Sequence, residues 1–240
     1  MNASSSVVRS VSKTQYKRFF VVLELSTILL AVVSIAIYGN FIGTLGIVSF
    51  HLKRNGVAEI LLRRAVWVQE RVHGSSGLAL NEPLNDLAYF YYDAEQPERA
   101  IPLAARSLSI CEEKLGRGNA RCAWTLSVLS LTNDGGGNFV QAEQMANEAL
   151  PILEASEGKQ SWPVASTLNR LGLALDGEGR YPEAEVVLRR ALTIRESFGG
   201  AKWEGLVPVL ENLARVCTEE GKEKDAADLR ERIESIQQRK

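Results

Sequence analysis

Apolar and small residues recur along this chain at a spacing of 42 positions, and the recurrence counts out its elements. Alanine occupies Ala58, Ala100, Ala142, Ala184 and Ala226. With each unit counted from nineteen residues before its alanine, position 7 is Leu45, Leu87, Leu129, Leu171 and Leu213. Position 4 is Ile42, Leu84, Leu126, Leu168 and Leu210, and position 8 is always small: Gly46, Ala88, Ser130, Gly172 and Ala214. Apolar residues three apart share one face of a helix. The small residue beside the second leucine admits a close neighbour, and the periodic alanine, one turn into a second helix, is the expected contact. Each unit thus predicts two antiparallel helices, and units that cannot bury their own apolar faces must stack into a solenoid.

The breaks follow the same period. Asp134-Gly135-Gly136-Gly137-Asn138 and Asp176-Gly177-Glu178-Gly179 fall between the paired helices, where a tight turn draws on glycine. Gly74, Gly116, Gly158 and Gly200 follow each second helix and predict left-handed caps. The boundaries read as a basic tail over 1–18, a transmembrane helix over 19–38, a degenerate first unit over 39–80, units over 81–122, 123–164 and 165–206, and capping helices over 207–240.

The unit Leu168-Asn169-Arg170-Leu171-Gly172, Gly179-Arg180-Tyr181-Pro182-Glu183-Ala184-Glu185 and Arg189-Arg190-Ala191-Leu192-Thr193-Ile194 resembles the tetratricopeptide repeats, in the long variety of kinesin light chains. Leu84-Asn85-Asp86-Leu87-Ala88 and Leu210-Glu211-Asn212-Leu213-Ala214 carry the same motif. The resemblance implies an all-α, right-handed solenoid of helix-turn-helix repeats. The chain departs from the pattern where the second helix usually holds a bulky residue, at Leu62, Ala104, Ala146, Leu188 and Arg230. Arg230 suits a terminal unit, whose outer face must be wettable.

Ahead of the repeats, Phe19 to Tyr38 is strongly apolar with Glu24 its one charge, and about 20 such residues suffice to cross a bilayer. A single-pass membrane anchor is therefore expected, with a competing reading that continues the membrane helix through Phe50. Arg9, Lys13, Lys17 and Arg18 precede it without an acid, which tilts the repeats toward the non-cytoplasmic side, the periplasm of a bacterium.

A formal net charge of −1 gives no basic excess for phosphate binding, so no nucleic acid is expected as a partner. His51 and His73 stand apart from any triad or metal spacing, and the glycine run at 135–137 lacks the Gly-Lys-Ser/Thr ending of a phosphate loop. No enzyme activity, cofactor or metal is expected. Of three cysteines, Cys217 reads as a small buried hydrophobe, and Cys111 and Cys122 flank the Gly116-Arg117-Gly118 turn. An odd count without paired spacing favours free thiols there.

The resemblance also implies a concave face lined by positions 2, 5, 9 and 12 of the first helices. That places Trp124, Asn85, Ser127, Asn169, Tyr89, Leu131, Leu173, Arg215 and Tyr92 toward a partner, with Asp134 and Asp176 beside them. Asparagine both donates to and accepts from a peptide backbone, and aromatics give contact with little entropy lost. Position 9 carries no asparagine, which disfavours capture of a chaperone C-terminus. The expected function is a membrane-anchored adaptor presenting a peptide-binding groove to a protein or peptide partner; the alternative is a structural subunit or assembly factor of a larger membrane complex.

Overall fold

The computed structural model describes residues 39–238, which form ten helices in five antiparallel pairs. The first pair is α1 over 39–51 and α2 over Asn55–His73. The next are α3 (Asn81–Asp93) with α4 (Pro97–Leu115), and α5 (Ala120–Gly135) with α6 (Phe139–Glu157). The last are α7 (Trp162–Gly177) with α8 (Tyr181–Gly199), and α9 (Val207–Glu219) with α10 (Glu223–Gln237). Single 3-10 turns, Leu78–Leu80 and Glu204–Leu206, lead into α3 and α9. First helices pack on one another in order, α3 on α5, α5 on α7 and α7 on α9, while α4, α6 and α8 each pack on the first helix of the following pair. The result is an all-α right-handed solenoid whose first helices share one face.

The periodic columns are its core. All five alanines of the column are fully buried, as are Leu84, Leu126 and Leu210 at position 4. Position 7 is buried from Leu87 onward, but Leu45 is 39% exposed, because α1 stands at the end of the described array with no preceding described pair against it. The irregular column of the second helices has a steric explanation. A Cβ on Gly172 would meet Leu188 Cγ at 2.5 Å, and one on Gly46 would meet Leu62 at 2.9 Å. Where position 8 carries Ala88 or Ser130 instead, the facing column holds Ala104 or Ala146, so each pair balances its own volume. Ser130 also donates to the Ala142 carbonyl at 2.7 Å. Arg230 is exposed and donates to Thr218 at 2.7 Å, which leaves the terminal face polar.

Both turn types repeat. Between paired helices, Lys53, Glu95, Gly137, Gly179 and Gly221 all have φ between 55° and 76°, once per 42 residues. After each second helix, Gly74, Gly116, Gly158 and Gly200 combine φ of 72–88° with ψ of 149–173°. That is an extended conformation at positive φ, reached essentially by glycine alone, and it replaces the left-handed helical cap expected from the sequence. The chain must leave α2, α4, α6 or α8 sharply to begin the next pair, and this conformation redirects it.

Three further expectations are corrected. Residues 39–51 are not a continuation of a membrane helix through Phe50: Gly39, Gly43 and Gly46 lie against Val68, Ala65 and Leu62 of α2, and Phe50 packs edge-on to Phe90 and Tyr89. Among the described residues no helix is long and apolar enough to cross a membrane, and the expected span Phe19–Tyr38 lies outside them. The single-pass, membrane-anchored description is therefore corrected to that of a helix-pair solenoid, together with the membrane as partner and the repeats on the non-cytoplasmic side. Cys111 and Cys122 are joined as a disulfide, with Cα atoms 5.5 Å apart, because the short glycine turn brings the end of α4 back beside the start of α5. Cysteine parity, useful in disulfide-built miniproteins, has no bearing on one bridge between helices that already pack. Cys217 is buried and free, as its position predicts.

Candidate functional site

A groove of about 620 Å³ runs across α3, α5, α7 and α9. Asn85, Tyr89, Tyr92, Trp124, Leu131, Asn169 and Leu173, all singled out by the sequence, line it together. Helix axes pack about 8–10 Å apart, so three steps between four first helices give a path of roughly 25–30 Å. An extended chain covers that with about eight residues.

The polar residues are not equally free. Asn85 is 5% exposed, and its amide donates to Thr125 Oγ1 at 3.0 Å, within a buried ladder that also joins Asn81 to Ser107 and Thr125. Among the described residues Asn85 Oδ1 has no hydrogen-bond partner. Asn169 is half-buried and accepts from Asn212 at 3.1 Å, and among the described residues its own amide nitrogen donates no hydrogen bond. Tyr89 is exposed with its ring 6.3 Å from that of Tyr92, and burial pushes the Tyr92 hydroxyl up to about 12.

Two of the nine expected residues do not line the groove. Ser127 is fully buried at the α5–α7 contact, bonded to Thr167 at 2.8 Å and receiving the guanidinium of Arg170. Arg215 lies beyond the groove and pairs with Asp176. Asp134 likewise lies outside the groove lining, and burial raises its carboxyl to about 6.

In their place the structure brings in position 6, which carries Asp86, Val128, Arg170 and Asn212 on successive first helices. It also brings in Trp162, Arg195 and Trp203. Arg170 is 7% exposed and lies over the Trp124 ring at 4.9 Å; Arg195 is 9% exposed and lies over Trp162 at 4.6 Å. Burial, with Arg195 adding its repulsion, pulls the Arg170 guanidinium down to about 10, so it keeps its charge at neutral pH. Burial also lowers Arg195. Asp86 is raised to about 7, first by burial and then by Glu82. One sequence signal was available, a weak one: Arg195 is the charged member of a column that otherwise holds Gln69, Cys111, Leu153 and Gln237. Trp162 and Trp203 sit at no repeat position in common, so the period does not reveal them.

The tetratricopeptide repeat profile matches residues 79–155 and 163–239, well over half of the chain, and the protein belongs to the tetratricopeptide repeat family. Among solved structures it is similar to BtubC (BKLC) from P. vanneervenii, with 23% identity and a TM-score of 0.67 over 85% of this chain and 82% of that one. It is also similar to TPR-like repeats assigned to a kinesin light chain of Podosopora anserina, at 18% identity and TM-score 0.61, over 82% of this chain and 94% of that one. A Rap protein in complex with Competence and Sporulation Factor gives 21% identity and TM-score 0.69, over 82% of this chain and 53% of that one. At these identities the likenesses establish the fold. No curated protein gives a significant match. Tetratricopeptide arrays are scaffolds for protein interaction, and this chain has that architecture.

Proposed function

We propose that this protein is a tetratricopeptide scaffold that holds an extended peptide segment of a partner protein in its concave groove. The observation that carries the reading is the convergence of Tyr89, Tyr92, Trp124, Asn169 and Leu173, from three different repeats, on one continuous groove. Rigid aromatic walls supply contact area, and side-chain amides bond a peptide backbone without reading its sequence. A Rap protein, similar to this chain in fold, has been solved in complex with Competence and Sporulation Factor, which supports a binding role for this architecture.

The test is selection of displayed peptides against the wild type, followed by titration of the selected peptides against a Leu173→Glu, Asn169→Ala variant. Both positions are half-buried at the groove, so thermal unfolding of the variant should match the wild type within a few degrees. Affinity should fall at least tenfold. Equal binding to both proteins places the peptide elsewhere and defeats the proposal.

A further inference from the structure

Many surface arginines of this array are paired with carboxylates, and its two buried groove arginines are not. Arg106 meets Glu70, Arg190 meets Glu154, Arg232 meets Glu196, and Arg99, Arg117, Arg180 and Arg189 each have a carboxylate within 3.5 Å. These side chains are 27–52% exposed, where an ion pair matters least. Arg170 and Arg195 are buried, where an unpaired charge costs most. Among the described residues each donates one hydrogen bond, and to a neutral oxygen: Arg170 to Ser127, and Arg195 to the Gly205 carbonyl at 2.9 Å. Arg195 Nε is buried without a partner. Among the described residues the acids that line the same groove, Asp86 and Glu211, form no ion pair with either. Stacking on Trp124 and Trp162 holds both guanidinium planes in place, but an indole face carries no countercharge.

We infer that the groove takes an acidic peptide segment, one of whose aspartate or glutamate side chains is received by Arg170 and Arg195 together. The inference rests on the peptide-groove reading above and adds the chemistry of the occupant. A flat carboxylate suits guanidinium forks fixed by indoles and left with little open surface, since two N–H groups match its two oxygens. Leu173, Trp162 and Trp203 border the same site and give the stems of neighbouring side chains an apolar wall. An incoming carboxylate also relieves the repulsion between the two cations, so its charge contributes directly to affinity.

The experiment uses the whole chain and degenerate peptides of about nine residues, acetylated and amidated, with glutamate, glutamine or phosphoserine fixed at the centre. A fourth set has central glutamine and a free C-terminal carboxylate. Wild type should retain the glutamate set about tenfold better than the glutamine set, with the preference shrinking as salt rises. Arg195→Gln and Arg170→Gln should reduce that preference to within about twofold, and Arg195→Lys should recover part of it. Asn169→Asp changes no shape and leaves both arginines in place, yet supplies a competing carboxylate at the groove; it should erase the preference even if an arginine variant unfolds. Equal retention of glutamate and glutamine sets, with both lost in Leu173→Glu, overturns the acidic occupant and leaves the groove reading standing. Retention led by phosphoserine or by the free C-terminus overturns the side-chain carboxylate. No retention of any set overturns both readings.

Discussion

A Cβ built onto Gly172 would sit 2.5 Å from Leu188 Cγ, a branch carbon that cannot swing aside as a chain end would. Gly172→Ala should therefore destabilise the protein by about 1–3 kcal/mol through overpacking, despite alanine's better helix propensity. Leu188→Ala, at a fully buried position, should cost about 2–5 kcal/mol. The double variant recreates the Ala88 and Ala104 pairing of the second unit, and its loss should be smaller than the sum by about 1 kcal/mol or more. Denaturant titration of the four proteins measures this; additive losses would mean that the two columns are not coupled. At this scale the small-residue column was legible in the sequence, because every unit obeys it. Its compensation by the second helix was not, since position 8 and its partner lie sixteen residues apart and their contact depends on how the hairpin closes.

Each second helix is tied to the next by an ion pair 36 residues apart, Glu70 with Arg106, Glu154 with Arg190 and Glu196 with Arg232. The junction of α4 with α6 breaks the rule, placing Glu112 opposite Glu148, and Arg117 from the intervening loop bridges both acids. Its hydrogen bond holds the Glu148 carboxyl below the usual carboxylate range. The Cys111–Cys122 disulfide crosses this same junction, between α4 and α5. Reduction should lower global stability by roughly 2–3 kcal/mol for so short a loop, and Arg117→Ala should add about 0.5–1 kcal/mol, a modest figure because the pair is solvent-screened. Unfolding with and without dithiothreitol, in wild type, in Arg117→Ala and in Cys111→Ser, Cys122→Ser, checks both. An unchanged midpoint on reduction would show that helix packing alone fixes this junction.

Across the whole molecule, contacts join each pair to its neighbours in sequence, so stability should be distributed as in a one-dimensional array. Amide hydrogen exchange should be slowest in α5, α6 and α7, which are packed on both sides, and faster in α1 and α10; uniform protection from end to end would indicate a single cooperative block instead. The sequence by itself determined the paired helices and their stacking, because each unit must bury the same apolar face against the same kind of neighbour, and that demand is written once every 42 residues. It also placed seven of the groove residues, through positions that every first helix shares. Only the tertiary structure decided that Ser127 is spent holding Arg170, that Arg215 turns to Asp176, that Cys111 reaches Cys122, and that two buried groove cations are left without a carboxylate among the described residues. Those outcomes depend on side chains that differ between units and meet across them, where the curvature of the stack, and no local pattern, sets which atoms come within reach.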